Sequence, residues 1–140
     1  MSSSSQGIAF NKTRQTFLAT EMRVANTHLS RLRGLMGLSP SKFLHGQALW
    51  IMPCHGVHTW FMRFPVDVIY LDRDHTVVHI EESLRPWRFA PVRMEAQSVI
   101  ELPPHTIFNS GTRVGDRFEL RLKPAHATNA AAAKDPQAVA

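Results

Sequence analysis

The chain has 140 residues, 44% of them hydrophobic and 19% charged, which suffices for one domain that buries a core without disulfides or a structural metal. Cys54 is the only cysteine, so no disulfide can form within the chain, and a reducing compartment, the cytoplasm, is the expected setting. No signal-peptide pattern and no run of roughly 20 apolar residues is present, so we expect a soluble protein without a membrane partner.

The balance of charge is basic, with 16 Lys and Arg against 11 Asp and Glu and a formal net charge of +5 at pH 7. Nucleic acid is the first partner that such a balance suggests. The arginines are scattered along the chain, however, and no basic run or nucleic-acid-binding motif is present. A solvated basic surface is therefore favoured, and a nucleic-acid accessory protein is the weaker alternative.

The first third of the chain predicts one strand and one helix after a disordered start. Residues 1–12 are polar and serine-rich, which is typical of disorder. Side chains partly alternate between apolar and polar over 16–25, which indicates a strand. Thr27 is a suitable N-cap for a short helix over 28–33, and the glycines and the Ser-Pro pair of 34–40 indicate turns.

The middle of the chain consists of short apolar runs separated by prolines and turn residues. Pro65 cannot donate a hydrogen bond to a neighbouring strand, so it should lie at an edge, a bulge or a sharp bend. Residues 72–75 have the composition of a hairpin loop. Strands are therefore predicted at 47–52, 58–64, 66–71 and 76–81.

The last third predicts an extended, packed loop over 84–91 and two more strands. The apolar run 98–102 ends at two prolines, and apolar and charged residues alternate over 116–122, as in a strand with one wet face. The alanine-rich residues 124–140 are predicted to be disordered, which leaves a single globular domain over 13–123. Short strands with so little helix predict a mainly β (α+β) fold, a small antiparallel β barrel or sandwich with one or two short helices.

Several segments resemble a known family. The residues Arg33-Gly34-Leu35-Met36-Gly37, the run 58–68 (His-Thr-Trp-Phe-Met-Arg-Phe-Pro-Val-Asp-Val), Ile100-Glu101-Leu102-Pro103 and the pair Gly115-Asp116 occur in this order. Together they closely resemble the bacterial and archaeal family catalogued as domain of unknown function 192. The resemblance covers about residues 15–122. It implies a compact, mainly β single domain, and it implies no activity, because none is established for the family.

Two turns depart from the pattern of that family. His75 stands where the family usually has glycine, and the chain reads Leu-Pro-Pro-His over 102–105 where the family usually reads Leu-Pro-Ala-Gly. Glycine normally supplies a positive φ at such turns, and histidine adopts it less readily. The geometry of these two turns is therefore open at this point.

Cys54, His55 and His58 form the first candidate site. Thiolate and imidazole are good ligands for zinc, and this spacing in a turn could place two or three of them on one ion. The candidates for a further ligand are His79, His105 and Asp67. The favoured alternative is a buried cysteine with two hydrogen-bonded histidines. A Cys54–His58 pair of nucleophile and base is weaker, because it needs a depressed thiol pKa and a suitable tertiary placement.

The charges inside the apolar run of 58–72 form the second candidate. An unpaired buried charge costs free energy, so Arg63 or Asp67 should have a partner. A structural salt bridge from the Arg33 turn to the central strand is favoured. In the functional alternative an arginine lines a pocket with apolar walls and binds a carboxylate or phosphate. The candidate ligand-binding residues are Arg33, His58, Trp60, Met62, Arg63, Asp67 and Trp87.

The absence of a phosphate loop, dinucleotide fingerprint, zinc-protease helix or serine-nucleophile elbow argues against nucleotide enzymes and common hydrolases. The sequence predicts a non-catalytic module that binds a small anionic or polar ligand, or a protein partner, between the Arg33 turn and residues 54–67. No catalytic residue is assigned and no cofactor is expected. The alternative is a metal-dependent enzyme that holds zinc with Cys54, His55 and His58.

Overall fold

The computed structural model describes residues 6–124, apart from the side chains of Leu29, Leu32 and Arg33. The predicted disordered tail lies outside the described residues from position 125 onward. The strands are β1 (Gln6–Asn11), β2 (Thr16–Ala25), β3 (Gly46–Ile51), β4 (Val66–Leu71), β5 (Val77–Leu84), β6 (Ser98–Leu102) and β7 (Phe118–Leu122). The helices are α1 (His28–Arg33), a 3₁₀ turn (Pro40–Lys42) and α2 (Thr106–Ser110). None of these helices has the length and apolar character needed to cross a membrane.

The seven strands form one sheet in the order β5-β4-β6-β3-β2-β1-β7. All neighbours are antiparallel except β2 and β3, which run parallel. The two edge strands approach each other at one end, where Thr76 and Arg117 form a bridge and the Val77 amide donates to the Asp116 carbonyl at 2.8 Å. The sheet is thus a curled half-barrel, and the predicted mainly β fold with short helices is confirmed.

Both faces of the central strands are buried, which explains their nearly continuous apolar sequence. All six residues of β4 and all five of β6 are buried, and alternate side chains enter two cores. The inner core, on the concave face, includes Met22, Trp50, Ile69, Ile100, Ile107 and Phe118. The outer core, which lies under the loops that follow β3 and β5, includes Leu35, Ile51, Met62, Phe64, Tyr70 and Val99.

The prediction of disorder over 1–12 is wrong for the residues that form β1. Ala9 and Asn11 are fully buried, and the Asn11 side-chain amide donates to Asp116 Oδ2 at 2.9 Å. The composition of this segment is weakly apolar, yet it pairs with β2 on one side and β7 on the other, which satisfies its backbone groups. Residues 1–5, the rest of the predicted disordered segment, lie outside the described residues.

Gly7 gives a direct test of this pairing. A β-carbon at Gly7 would overlap the Arg121 carbonyl oxygen of β7 and crowd the Leu122 side chain. Gly7→Ala should therefore lower the free energy of unfolding by roughly 1–3 kcal/mol, measured by urea denaturation. Gln6→Ala, at an exposed position in the same strand, is the control. Equal stability of the two variants would contradict the close packing of β1 on β7.

The helix predicted over 28–33 is confirmed as α1, with Thr27 as its N-cap. The Thr27 hydroxyl accepts from the Ser30 amide at 3.0 Å and the Ser30 hydroxyl accepts from the Thr27 amide at 3.0 Å, a reciprocal capping box. Helix α2 was not predicted, because its five residues are too few for a visible helical period.

The strand predicted over 58–64 is wrong, since these residues form a loop in which only His58 makes a β-bridge. The β-branched and aromatic composition reflects packing of this loop on the outer core, where Met62 and Phe64 are buried. The two turns whose geometry the sequence did not settle have positive φ despite their histidines, 62° at His75 and 73° at His105. Both therefore keep a left-handed geometry, which histidine adopts more often than most residues do.

Candidate functional site

A cavity of about 350 Å³ lies between the end of α1, the end of β3 and the loop over 53–62. Glu101 is the residue of β6 that lines it. This is the region in which the sequence predicted ligand binding. The side chains that shape it include Arg31, Leu35, Ile51, Cys54, Met62 and Glu101.

Hydrogen bonds hold the walls of this cavity together. Arg31 Nη1 donates to the Pro53 carbonyl at 2.8 Å, which joins α1 to the loop that follows β3. The Gly37 amide donates to the Phe61 carbonyl at 2.9 Å, which joins the turn after α1 to the same loop. The cavity is therefore preformed and does not depend on a ligand to assemble its walls.

Glu101 is the distinctive side chain of the cavity. It alternates with Ile100 and Leu102 along β6, so it points to the outer core while they enter the inner core. The residue is 3% exposed, and its Oε2 atom has no hydrogen-bond partner among the described residues. Burial raises the pKa of Glu101 from 4.5 to about 8, so the carboxyl group is mostly protonated at neutral pH.

Cys54 lies near Glu101 on the cavity wall and is half-buried. Its thiol donates to the Gly56 carbonyl at 3.0 Å. Burial raises the pKa of the Cys54 thiol, and the negative charge of Glu101 when ionised adds to this, while the Gly56 hydrogen bond and Arg31 act in the opposite direction. A protonated thiol is a poor nucleophile, which counts against the Cys54–His58 pair.

The two histidines of the sequence motif line the same cavity but have separate local partners. His55 Nδ1 lies 2.6 Å from the Ala96 carbonyl, and His58 Nδ1 accepts from the Trp60 amide at 3.3 Å. Among the described residues, no group of three or more His, Cys, Asp or Glu side chains is arranged to hold a metal ion. A zinc site at Cys54, His55 and His58 therefore stays a prediction from the sequence, without such a group to support it.

Asp67 lies on the other face of the sheet from this cavity and is fully buried. Its Oδ1 accepts from the Ser83 amide and its Oδ2 from the Ile107 amide, each at 2.8 Å. The partners that its burial demands are thus two backbone amides, which tie β5 and α2 to β4. Arg63 is exposed and forms no ion pair with another described residue, and the side chain of Arg33 lies outside the description.

The remaining candidates separate into two groups. Met62 and His58 line the cavity, with Met62 in the outer core. Trp60 and Trp87 are exposed and do not line it. Glu101 was missed as a site residue, although an acid inside the apolar run 98–102 is the same signal that singled out Asp67.

The curled half-barrel sheet with short helices places the chain in the class of small mainly β domains. The family model of DUF192, described as an uncharacterized ACR family, matches residues 9–120, and the chain belongs to this family. A UPF0127 protein from Thermococcus sibiricus is 32% identical over 118 residues, which cover 81% of this chain and 74% of the relative.

Two solved structures share the fold. A protein of unknown function from Novosphingobium aromaticivorans DSM 12444 has a TM-score of 0.69 at 18% identity and covers 81% of this chain and 83% of that one. A chain from Sinorhizobium meliloti 1021, whose name mentions transcription regulation, has a TM-score of 0.70 at 20% identity and covers 84% of this chain and 93% of that one. At these identities the likeness shows the fold alone.

Proposed function

We propose that this protein is a non-catalytic module that binds a small ligand in the cavity above Glu101. The observation that carries the proposal is the buried carboxyl group of Glu101, a residue that lines the preformed cavity and whose buried Oε2 has no hydrogen-bond partner among the described residues. A buried polar group without a partner costs on the order of 1–3 kcal/mol, so it is retained at a cost to stability. A ligand that supplied the missing hydrogen bond would offset that cost.

The shape and lining of the cavity define the ligand class. About 350 Å³ is at the small end of the range for ligand pockets. Leu35, Ile51 and Met62 offer apolar contact, and the protonated Glu101 offers one hydrogen-bond donor and one acceptor. The ligand that fits is therefore small, with an apolar body and an uncharged hydrogen-bonding group such as an amide or hydroxyl. An anionic group placed against Glu101 is disfavoured. Of the anionic or polar ligand predicted from the sequence, we therefore propose the polar one.

The state of the other polar groups supports binding rather than catalysis. The Cys54 thiol is protonated and hydrogen-bonded, and the Arg31 guanidinium is engaged with a backbone carbonyl. No activated nucleophile accompanies Glu101 in the cavity, and general acid catalysis would need a reacting group on the ligand.

A thermal-shift screen of small neutral, cationic and anionic compounds tests the proposal. A binding compound should raise the melting temperature of the wild type, because it binds only the folded state. Glu101→Leu should abolish the shift, while Glu101→Gln, which keeps a donor and an acceptor, should retain part of it. Asn109→Leu, in a second cavity of about 220 Å³, is the matched control and should respond as the wild type does.

Two results would contradict the proposal. One is the absence of any shift across the screen, and the other is a shift that persists unchanged in Glu101→Leu. The same screen with zinc alone tests the metal-dependent enzyme alternative. Zinc should then raise the melting temperature of the wild type, and this stabilisation should be lost in Cys54→Ser and His58→Ala.

A further inference from the structure

Four exposed aromatic side chains lie together on the loops that flank the candidate site, and we call them the aromatic surface: Trp60, Phe61, Trp87 and Phe89. Their exposed fractions range from 41% to 70%. The rings are in contact in pairs, with centroids 5.0 Å apart for Trp60 and Phe89 and 4.8 Å apart for Phe61 and Trp87. None of the four lines the Glu101 cavity. Large apolar side chains grouped in this way on a surface mark an interaction site.

The backbone beneath the aromatic surface is fixed by one buried threonine. The Thr59 hydroxyl donates to the Arg85 carbonyl at 2.6 Å and accepts from the Arg88 amide at 2.8 Å. The Thr59 amide donates to the Arg88 carbonyl at 2.8 Å, and the Thr59 carbonyl accepts from the Trp87 amide at 2.9 Å. The two loops therefore form one rigid unit, so the rings need little ordering on binding.

Two of the rings are carried on strained backbone. Phe61 and Trp87 have φ values of 61° and 63°, a conformation that bulky L-residues rarely adopt. Such strain costs on the order of 1–3 kcal/mol and persists where the surrounding contacts enforce it. Here the strain presents aromatic rings to solvent, which brings no burial in the free protein.

The charge around the aromatic surface is of one sign. Residues 55–64 and 85–94 contain four arginines and no aspartate or glutamate. The arginines are exposed in the structure: Arg63, Arg85, Arg88 and Arg93. They are scattered in the sequence, but the hydrogen bonds of Thr59 and the bridge between His58 and Phe89 bring the two loops that carry them side by side. Scatter of the arginines was one of two observations that counted against nucleic acid, and it does not hold in the folded chain; the absence of a known binding motif still holds.

We propose that the aromatic surface binds single-stranded nucleic acid. Exposed rings stack on unpaired bases, and neighbouring arginines neutralise phosphates. An acidic peptide would satisfy the arginines but would offer no flat partner for four aromatic rings. Duplex DNA keeps its bases stacked, and the two α-helices of the described residues, six and five residues long, are too short to read a major groove.

The test is a fluorescence-anisotropy titration with labelled oligothymidylate and oligouridylate of about 15 nucleotides at about 50 mM salt. Binding should weaken with salt, with a log–log slope of about 2 to 3, since each arginine–phosphate contact contributes about 0.7. Tryptophan fluorescence of the wild type should be quenched, because Trp60 and Trp87 are exposed whereas Trp50 is buried.

Trp60→Ala with Trp87→Ala should weaken binding about tenfold or more and remove the quenching. Phe108→Ala and Arg73→Ala remove an exposed ring and an exposed charge elsewhere, so they should bind as the wild type does. If the double variant does not fold, tryptophan quenching in the wild type tests on its own whether the exposed rings contact the oligonucleotide. Three results would overturn the proposal: no binding at low salt, binding without quenching, or equal binding of a polyglutamate peptide of the same charge.

Discussion

Glu101→Gln should leave stability nearly unchanged at about pH 5 and raise it progressively towards pH 9 relative to the wild type. The pKa of Glu101 is raised to about 8 by burial, whereas the unfolded chain ionises near the ordinary value of 4.5. Between these values the folded state holds a proton that the unfolded state has lost. The stability of the wild type therefore falls as the pH rises through this window, and the glutamine variant has no such loss.

The expected difference is large for a domain of this size. A pKa raised from 4.5 to about 8 corresponds to about 5 kcal/mol at full ionisation, which we regard as an upper bound. Urea denaturation at a series of pH values measures it, with the exposed Glu95→Gln as control. Parallel pH profiles for the wild type and Glu101→Gln would show that Glu101 is already ionised at neutral pH in the folded protein.

This measurement is independent of any ligand. If the difference in stability between the wild type and Glu101→Gln did not change with pH, Glu101 would not be the protonated donor on which the proposed ligand chemistry depends. The existence of the cavity would be unaffected. A difference of the predicted sign together with an empty ligand screen would leave Glu101 as a buried acid without a function in binding. The two experiments therefore test separate steps of the same proposal.

The sequence predicted those elements whose signals are local. Apolar alternation identified β2, and the N-cap position of Thr27 identified α1, because both patterns depend on residues a few positions apart. It failed at β1, whose burial comes from pairing with β7 more than 100 residues away. It also failed at 58–64, where aromatic residues typical of a strand belong to a loop.

At the candidate site too, the sequence indicated what is local along the chain and missed what only the fold brings together. Three of the predicted site residues, Cys54, His58 and Met62, line one cavity in the structure, because they share one short segment. The sequence missed Glu101 although an acid inside an apolar run was visible, because only the fold shows that this face of β6 borders a cavity. It also treated the arginines of 63 and 85–93 as unrelated, because the contact between their loops passes through Thr59 and is purely tertiary.

Asp67→Ala should be strongly destabilising, with a loss of roughly 4 kcal/mol in the free energy of unfolding, because one buried and one partly buried amide lose their acceptor at once. The Ser83 amide belongs to β5 and the Ile107 amide to α2, so one carboxyl group fixes both elements to β4. Asp67→Asn keeps one acceptor oxygen and should lose about half as much.

Asp72→Ala is the matched control for this prediction. Asp72 Oδ1 also accepts from two backbone amides, those of Asp74 and Thr76, each at 2.9 Å, but it lies in a half-exposed hairpin loop. Water can replace those bonds, so the loss should be only about 1 kcal/mol. Thermal and urea unfolding of Asp67→Ala, Asp67→Asn and Asp72→Ala measures which variant loses the most stability. Equal losses for Asp67→Ala and Asp72→Ala would show that burial does not amplify the Asp67 contacts, and the bonds that anchor α2 would then have to lie elsewhere.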